Sequence, residues 1–451
     1  MAAHPARPPL LRGLPVIGKL LDFLRDPLAF TAECVRLGPI VEVRLPGPPT
    51  YVVSGPALME EVLVAQSRSF IKDKFTRDLS AVIGFGLLTS DGELWRSRRR
   101  IAQPAFSRGR IQAHAETMVA ATEQRTADWR DGEARDAHDE MARVAIDIAA
   151  RTLFGAEVGD DADRLSHALG VLMRRFADWR YDHLPLFTRL PIEANRRVRR
   201  AQEDLDGIIH RLIAGRRTDP GGRDDLLAML LAARDEDGAP LSDAALRDEV
   251  MILFIAGHET SANALAWTWM LLAQHPAVEE KLLAEVDCVL GDRAPTADDV
   301  PKLPYTAQVL HESMRLYPPS WALGREAVEE VDLNGYRLPR GSQVIIPQWA
   351  LQRDPRYFER PGSFEPERWS GDLARRLPKG VFIPFGAGPR ACIGNSFAVM
   401  ETVLVLATIA RRFRLRLRDG FRPAPWPTIT LRPRHGIPVV VRRRDAPGGA
   451  G

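Results

Sequence analysis

The sequence predicts a mainly α fold with a minor β portion, and three observations carry that reading. Between an early β-type hairpin and Pro318, apolar residues recur at helical period in segments rich in Ala, Leu, Arg and Glu. Alternating, β-type runs are confined to the two ends of the chain. No repeat of 20 to 50 residues is present, which sets aside solenoids and propellers.

The elements follow in order. The opening stretch is rich in proline and carries charges where a signal peptide or membrane anchor needs an unbroken apolar run, so residues 1–15 are expected as a loose tail. "GPIVEVRLPGPPTYVVSG" offers two strands, Val41 to Leu45 and Tyr51 to Val53, around a Pro/Gly turn. The helical middle breaks at "DPGGRDD" and "DEDGAPLSD". Its longest helix starts at Ser242 and ends near Gln274, before His275-Pro276. After Pro318 come short strands in "VDLNGYRLPRGSQVIIP", an irregular Pro/Arg/Phe-rich stretch, a glycine loop with an apolar helix, and strands in "TITLRPRHGIPVVVRRR". Residues 444–451 read as a second loose tail, and 1–451 as a single domain.

Composition narrows the function classes. The chain is 45% hydrophobic with a formal charge of +3, a balance that does not call for nucleic acid or an anionic membrane. Cys34, Cys288 and Cys392 are odd in number and lack CxxC spacing, against a disulfide framework or structural zinc and in favour of a reducing, cytoplasmic setting.

Four constellations carry chemistry. In "PFGAGPRACIGNSFAVMET", Cys392 sits among glycines just before a helix that Asn395 or Ser396 is placed to cap. A cysteine there meets unpaired N–H groups and the positive end of the helix dipole, both of which favour the iron-binding thiolate. Gly388 and Gly394 let a flat ligand approach the backbone. The bland reading is an inert cysteine in a tight turn.

In "LFIAGHETSANALAWTW", Ala256, Gly257 and Thr260 share a face and form a notch of small residues, where Thr260 bonds back to the Ala256 carbonyl or releases it. Glu259 beside Thr260 supplies an acid and a hydroxyl, the parts of a proton relay; the alternative is a small-residue helix contact with a solvated glutamate. His258 points away from the notch and is expected to be structural. In "LHESMRLYPP", Glu312 and Arg315 are three apart in apolar company, and Arg368 of "FEPERW" is placed to close a buried network. In "GELWRSRRRIAQPAF", Trp95 and Arg99 lie one turn apart, as a carboxylate clamp or simply as a solvated basic face.

With these signatures in this order, the chain resembles the cytochrome P450 family of haem-thiolate monooxygenases over nearly its full length. The motif FxxGxRxCxG stands here as "FGAGPRACIG". The resemblance implies that family's fold, a triangular helical domain whose long central helix crosses above the haem. It makes Cys392 the axial thiolate of haem b, with O2 as co-substrate, Phe385 packed near the sulfur and Gly386 among the haem-binding residues. It sets Arg390, Arg325, Trp95 and Arg99 against the haem propionates, Glu312, Arg315 and Arg368 as the network that holds the cysteine loop, Ala256 and Gly257 beside the oxygen site, and Glu259 and Thr260 as proton donors. One oxygen atom then enters an unactivated C–H bond and the other leaves as water.

The segments this likeness places above the haem contribute Phe85, Leu87, Phe176, Trp179, Trp321, Leu323 and Ile429, mostly bulky and apolar, for a hydrophobic guest of terpenoid, fatty acyl or polyketide type. Only 59 residues follow Cys392, with no flavin or nicotinamide domain, so electrons are expected from a ferredoxin and its reductase, or a flavodoxin-type donor. Arg96, Arg98, Arg100, Arg375, Arg376 and Lys379 are expected to form the basic docking face of a monomer without a membrane anchor. The rivals are a peroxygenase or isomerase of the same family, a haem gas or redox sensor, which needs no relay, and a dehydrogenase, for which no complete GxGxxG occurs.

Overall fold

The computed structural model describes residues 7–444 apart from 158, 160, 177–186, 188–189, 191, 220, 222–224, 235–237 and 372. Its axis is the central helix Asp243–Gln274, 32 residues long and about 48 Å at 1.5 Å per residue. Ser242 caps it by accepting the Ala245 N–H at 3.2 Å. It stops where Pro276 forces His275 out of helical backbone and starts the next helix, Pro276–Leu290. Its second half is buried nearly all round, with Trp267 and Trp269 among the largest fully enclosed side chains. Helix Ala137–Leu153 packs along one flank, while Pro304–Leu316 and Asn395–Arg412 pack below. One large apolar cluster joins these helices.

The β portion lies beside that helical mass. A six-stranded sheet runs in the order Leu10–Leu11, Ile40–Val43, Thr50–Val53, Gln343–Ile346, Leu323–Ala327 and Phe70–Ile71. The expected early hairpin is there, antiparallel with Val41 opposite Val52. The opening tail is not loose throughout: Pro8 and Pro9 favour extended backbone, and Leu10–Leu11 adds a parallel edge strand, with the Glu42 N–H donating to the Pro9 carbonyl at 2.9 Å. Arg444 is likewise held, its side chain on Asp287 at 2.6 Å; the rest of that tail lies outside the described residues. Strands Phe413–Leu417, Pro438–Arg443 and Ala134–Asp136 form a second sheet. A hairpin that the sequence reading did not separate pairs Pro425–Pro427 with Leu431–Pro433.

Candidate functional site

Backbone geometry shapes the cysteine loop. Gly386 and Gly388 adopt φ of +69° and +68°, and a side chain at 388 would meet the Leu63 carbonyl oxygen at 1.9 Å. The Cys392 N–H donates to the Phe385 carbonyl at 2.8 Å, folding the loop back on itself. Helix Asn395–Arg412 begins at Gly394 with no side-chain cap, so neither Asn395 nor Ser396, both exposed, plays the expected part. The sulfur takes the Gly394 N–H, leaving that end served by the thiol. Burial pushes the Cys392 thiol up, while the Gly394 N–H and the Arg99 guanidinium pull it down. The helix end alone therefore does not deliver the thiolate; the charge of a bound metal would supply the rest.

Four cations gather beside this loop. Arg390 stacks over Trp95 with its guanidinium 4.0 Å from the ring centroid, donates to the Ser90 carbonyl at 2.9 Å and pairs with Asp91. Arg99 donates to the Ala391 carbonyl at 2.8 Å, directly beside the cysteine. Arg325, buried, donates to the Gly324 carbonyl at 2.7 Å. Lys72, absent from the sequence reading, completes the group: burial, then Arg325 and Arg390, push its ammonium down to about 7. Asp73 and Asp91 are the carboxylates that oppose these charges. The three arginines outnumber these two carboxylates even with Lys72 neutral, a positive surplus suited to the propionates of haem b. Among the described residues, no cluster of three His, Cys, Asp or Glu is arranged to hold a metal. The residues present fit haem b.

The expected network closes around Glu312. Arg315 clasps it in a fork, Nε to Oε2 at 2.8 Å and Nη2 to Oε1 at 2.7 Å, and spends its other donors on the carbonyls of Gln352, Pro361 and Ser363. Arg368 Nε reaches Oε1 at 2.9 Å, the Glu365 N–H reaches it at 3.0 Å, and Trp369 Nε1, a partner not foreseen, donates to Oε2 at 2.8 Å. Both carboxylate oxygens and all five guanidinium N–H groups of Arg315 are satisfied.

On the central helix the notch is narrower than expected. Ala256 is exposed and Thr260 Oγ1 donates to its carbonyl at 3.0 Å. Gly257 is turned about 100° further round; a side chain there would meet Leu153 Cδ1 at 3.3 Å, so its smallness serves the contact with helix Ala137–Leu153 rather than the notch. Glu259 is buried and turned to the hairpin 425–433. Its Oε1 accepts Thr430 Oγ1 at 2.8 Å and Asn263 Nδ2 at 2.9 Å, and lies 3.3 Å from Arg432 Nε. Burial alone pushes this carboxyl up, but Arg432 and the neighbouring groups prevail and hold it down at about 2. His258, buried, bonds through Nδ1 to the Phe254 carbonyl at 2.8 Å and sets Nε2 3.9 Å from Glu259 Oε2. Ser261 looks the other way and donates to Glu401 Oε2 on the cysteine helix at 2.6 Å.

The expected pocket residues divide. Trp321 is half-buried and donates through Nε1 to the Thr428 carbonyl at 2.8 Å, next to half-buried Ile429. Leu87 and buried Phe176 join the main apolar cluster, and Leu323 packs on the sheet. Phe85 is 59% exposed and forms no closed wall. Its N–H is held by Asp248 at 2.8 Å after Gly84 turns the chain at φ +89°, which leaves the ring outside. Trp179 lies outside the described residues. Among the docking candidates, Arg98 is an exception: it is buried with Nε 3.2 Å from Glu249, whereas Arg96 and Arg100 are exposed. Glu249 also accepts the Leu87 N–H at 3.2 Å, and burial pushes its carboxyl up to about 7.

A helical fold with one long helix over a glycine-framed thiol, flanked by surplus cations, defines the class of thiolate-ligated haem enzymes. Comparison with known proteins gives the family. The sequence profile of cytochrome P450 matches residues 8–437. Cyclooctatin synthase of Streptomyces melanosporofaciens is 39% identical over 94% of both chains. Cyclooctat-9-en-7-ol 5-monooxygenase of the same organism is 37% identical over 90% of this chain and 89% of its own. The solved structure of a retinoic acid-bound cyanobacterial cytochrome P450, CYP120A1, superposes with a TM-score of 0.86 at 29% identity, covering 97% of this chain and 99% of that one. The chain belongs to the cytochrome P450 family. It is a monooxygenase that uses haem b with cysteine-thiolate ligation and O2, acts on a hydrophobic substrate and draws electrons from a separate partner. No helix among the described residues is long and apolar enough to cross a membrane.

Proposed function

We propose that this monooxygenase hydroxylates a cyclic, largely hydrocarbon terpenoid, with Cys392 as the iron ligand and Thr260 and Glu259 as its proton-handling pair. The observation that carries the reading is the Thr260 hydroxyl bonded to the carbonyl of exposed Ala256, one residue after an ionised glutamate. Bound haem supplies dioxygen activation and C–H oxidation. The chain's residues do the rest. Lys72, Arg325, Arg390 and Arg99 neutralise the propionates, Trp95 braces Arg390, and Phe385 and Gly386 shape the backbone behind the sulfur. Thr260 turns its hydroxyl from the Ala256 carbonyl toward the oxygen site, and Glu259, ionised at rest, takes up a proton from water before passing it on.

Of the three substrate classes, the terpenoid is favoured by cyclooctat-9-en-7-ol, the cyclic alkenol in a relative's name. Trp321, Ile429 and Leu87 provide apolar wall, and Phe85 closes over the guest only if its loop moves. A ferredoxin is the proposed donor, docking on exposed Arg96, Arg100, Arg375, Arg376 and Lys379 of a monomer in the cytoplasm, a setting consistent with three unpaired thiols.

The test is the reduced, carbon monoxide-bound spectrum of the haem-loaded protein, followed by titration with cyclic terpene alcohols. A thiolate-shifted Soret band and a low-to-high-spin change are expected. A band without that shift sinks Cys392, and no spin change with any cyclic terpene sinks the substrate class. If reversing Arg96, Arg100 and Lys379 together leaves the reduction rate and its salt dependence unchanged, the donor docks elsewhere.

A further inference from the structure

Two adjacent carboxylates near the start of the central helix hold the turn that carries Phe85. Asp248 Oδ2 accepts the Phe85 N–H at 2.8 Å, and Glu249 Oε2 accepts the Leu87 N–H at 3.2 Å. Both approaches need glycine: a side chain at 84 would meet Asp248 Oδ1 at 2.1 Å, and one at 86 would meet Glu249 Oε1 at 2.8 Å. The other side-chain bonds of the turn are internal. Thr89 Oγ1 donates to the Gly84 carbonyl at 2.8 Å and accepts the Gly86 N–H at 3.1 Å, and Ser90 Oγ donates to the Gly86 carbonyl at 2.7 Å. Residues 84–90 thus form one closed unit, pinned at its exit by Arg390 on the Ser90 carbonyl and held to the central helix by the two carboxylates.

The two carboxylates differ in what surrounds them. Asp248 Oδ1 takes Arg247 Nη1 at 2.9 Å, and Arg247 Nε is tied in turn to Asp206 on helix Glu193–Thr218 at 2.7 Å. Glu249 is 1% exposed, and its Oε1, covered by the backbone of Gly86, has no hydrogen-bond partner; Arg98 Nε lies 3.2 Å away without an aligned bond. Arg98 and Asp248 are the charged groups that act on Glu249. Helix Leu226–Ala232, packed against both helix Gly92–Ala102 and the central helix, carries no charged side chain.

We propose that Asp248 and Glu249 are positioning residues that hold the Phe85 turn against the central helix, and that Glu249 makes this hold proton-dependent, firm while its carboxyl is neutral and loosened when it ionises. The inference rests on the pocket reading given above, in which Phe85 reaches the guest only when its loop moves. A carboxylate shut away from water without full hydrogen bonding is costly, and lifting Gly86 off Oε1 is what lets water reach it. The neutral acid keeps Oε2 on the Leu87 N–H without that cost. Under the closed turn Glu249 titrates at about 7, against an ordinary 4.5 for a hydrated carboxyl, so the hold is complete below that range and is lost as pH rises through it.

The test uses haem-loaded protein with an intact carbon monoxide spectrum. Hydrogen exchange at the Phe85 and Leu87 amides, corrected for the intrinsic rate, reads the turn directly, and its opening constant should rise roughly tenfold between about pH 5.5 and 7.5. Glu249→Gln cannot ionise and should stay at the parent's low-pH value throughout. Asp248→Ala removes the half of the hold that does not titrate and should raise opening roughly tenfold at every pH while keeping the slope. Gly86→Ala sets a methyl against Oε1 and should open the turn at every pH. A slope that survives Glu249→Gln, or amides as protected in Gly86→Ala as in the parent, overturns the proposal. Entry of benzyl triazole, a neutral haem ligand read by its Soret shift, checks the pocket reading separately. Its rate should follow the exchange data; if exchange behaves as stated while entry ignores both pH and Gly86→Ala, the turn is proton-held and the pocket reading alone fails.

Discussion

Two buried glutamates, Glu312 and Glu259, each have an arginine partner, and they are built differently. Glu312 has both oxygens occupied by donors from its own helix and from residues 365–369, and its partner Arg315 has no N–H to spare. Glu259 concentrates its bonds on one oxygen, and its arginine approaches at 3.3 Å from a hairpin rather than in a fork. Saturation on every donor makes a fixed joint, because any motion strands a charge in a dry interior. Unequal occupation leaves the second Glu259 oxygen with only His258 Nε2 at 3.9 Å beside it. The same residue type thus closes a saturated joint to residues 352–369 in one place and makes a one-sided contact with the C-terminal hairpin in the other.

The contrast breaks hardest at Glu312. Glu312→Gln leaves Arg315 with uncompensated buried charge, Arg368 keeping Glu365, and should cost about 3–5 kcal/mol, enough to prevent stable haem loading. Denaturant unfolding and the carbon monoxide spectrum read this directly. A variant that loads haem with unchanged stability would erase the distinction between the two glutamates.

Thr260→Ala probes the Glu259 side and should leave stability within about 1 kcal/mol, since the hydroxyl is accessible and bonds only to its own helix. Product per electron should fall about tenfold or more, with peroxide rising to match. Retained coupling would make the distal side as purely structural as the proximal one.

The smallest effect is expected where the two sides meet, at Glu401 and Ser261. Burial raises the folded Glu401 carboxyl to about 8, against an ordinary value of 4.5. Between those values the folded protein keeps a proton that the unfolded chain has released, so this residue's contribution to stability falls as pH rises through that window. Glu401→Gln removes the titration and should flatten the profile of Tm against pH there, while shifting Tm at pH 6 by no more than about 2 °C. An unaltered slope from pH 5 to 8 would show that Glu401 is ionised throughout.

Legibility in the sequence followed the range of the contacts. The central helix was readable to within a residue because its signals are local: Ser242 before it and Pro276 after it. Glu312, Arg315 and Arg368 were readable as a set because they lie within short motifs in apolar company, and Trp369 was missed although it adjoins Arg368, since an indole donor leaves no charge signature. The cation Lys72 carries no motif at all; its place is set by a sheet whose strands come from both ends of the chain. Arg432 and Thr430 reach Glu259 across some 170 residues, a separation that no periodicity reports. Gly257 was assigned to the wrong face because a stripe of small residues spans more than one helical direction, and only the position of Leu153 decides which. Arg98 was read as surface for the corresponding reason, its counter-charge Glu249 being distant in sequence.

Glu259, Thr260 and Ser261 are consecutive, and each answers to a different part of the molecule: the C-terminal hairpin, the carbonyl of exposed Ala256 and the cysteine helix. Successive residues on a helix point about 100° apart, so the three directions are fixed by the pitch and cannot be adjusted one at a time. A codon inserted or deleted between this triplet and either anchored end of the central helix misaligns all three at once. Over evolutionary time the length of this helix should therefore be far less free to vary than its composition, and related genes should accumulate substitutions along it while leaving its reading of turns intact.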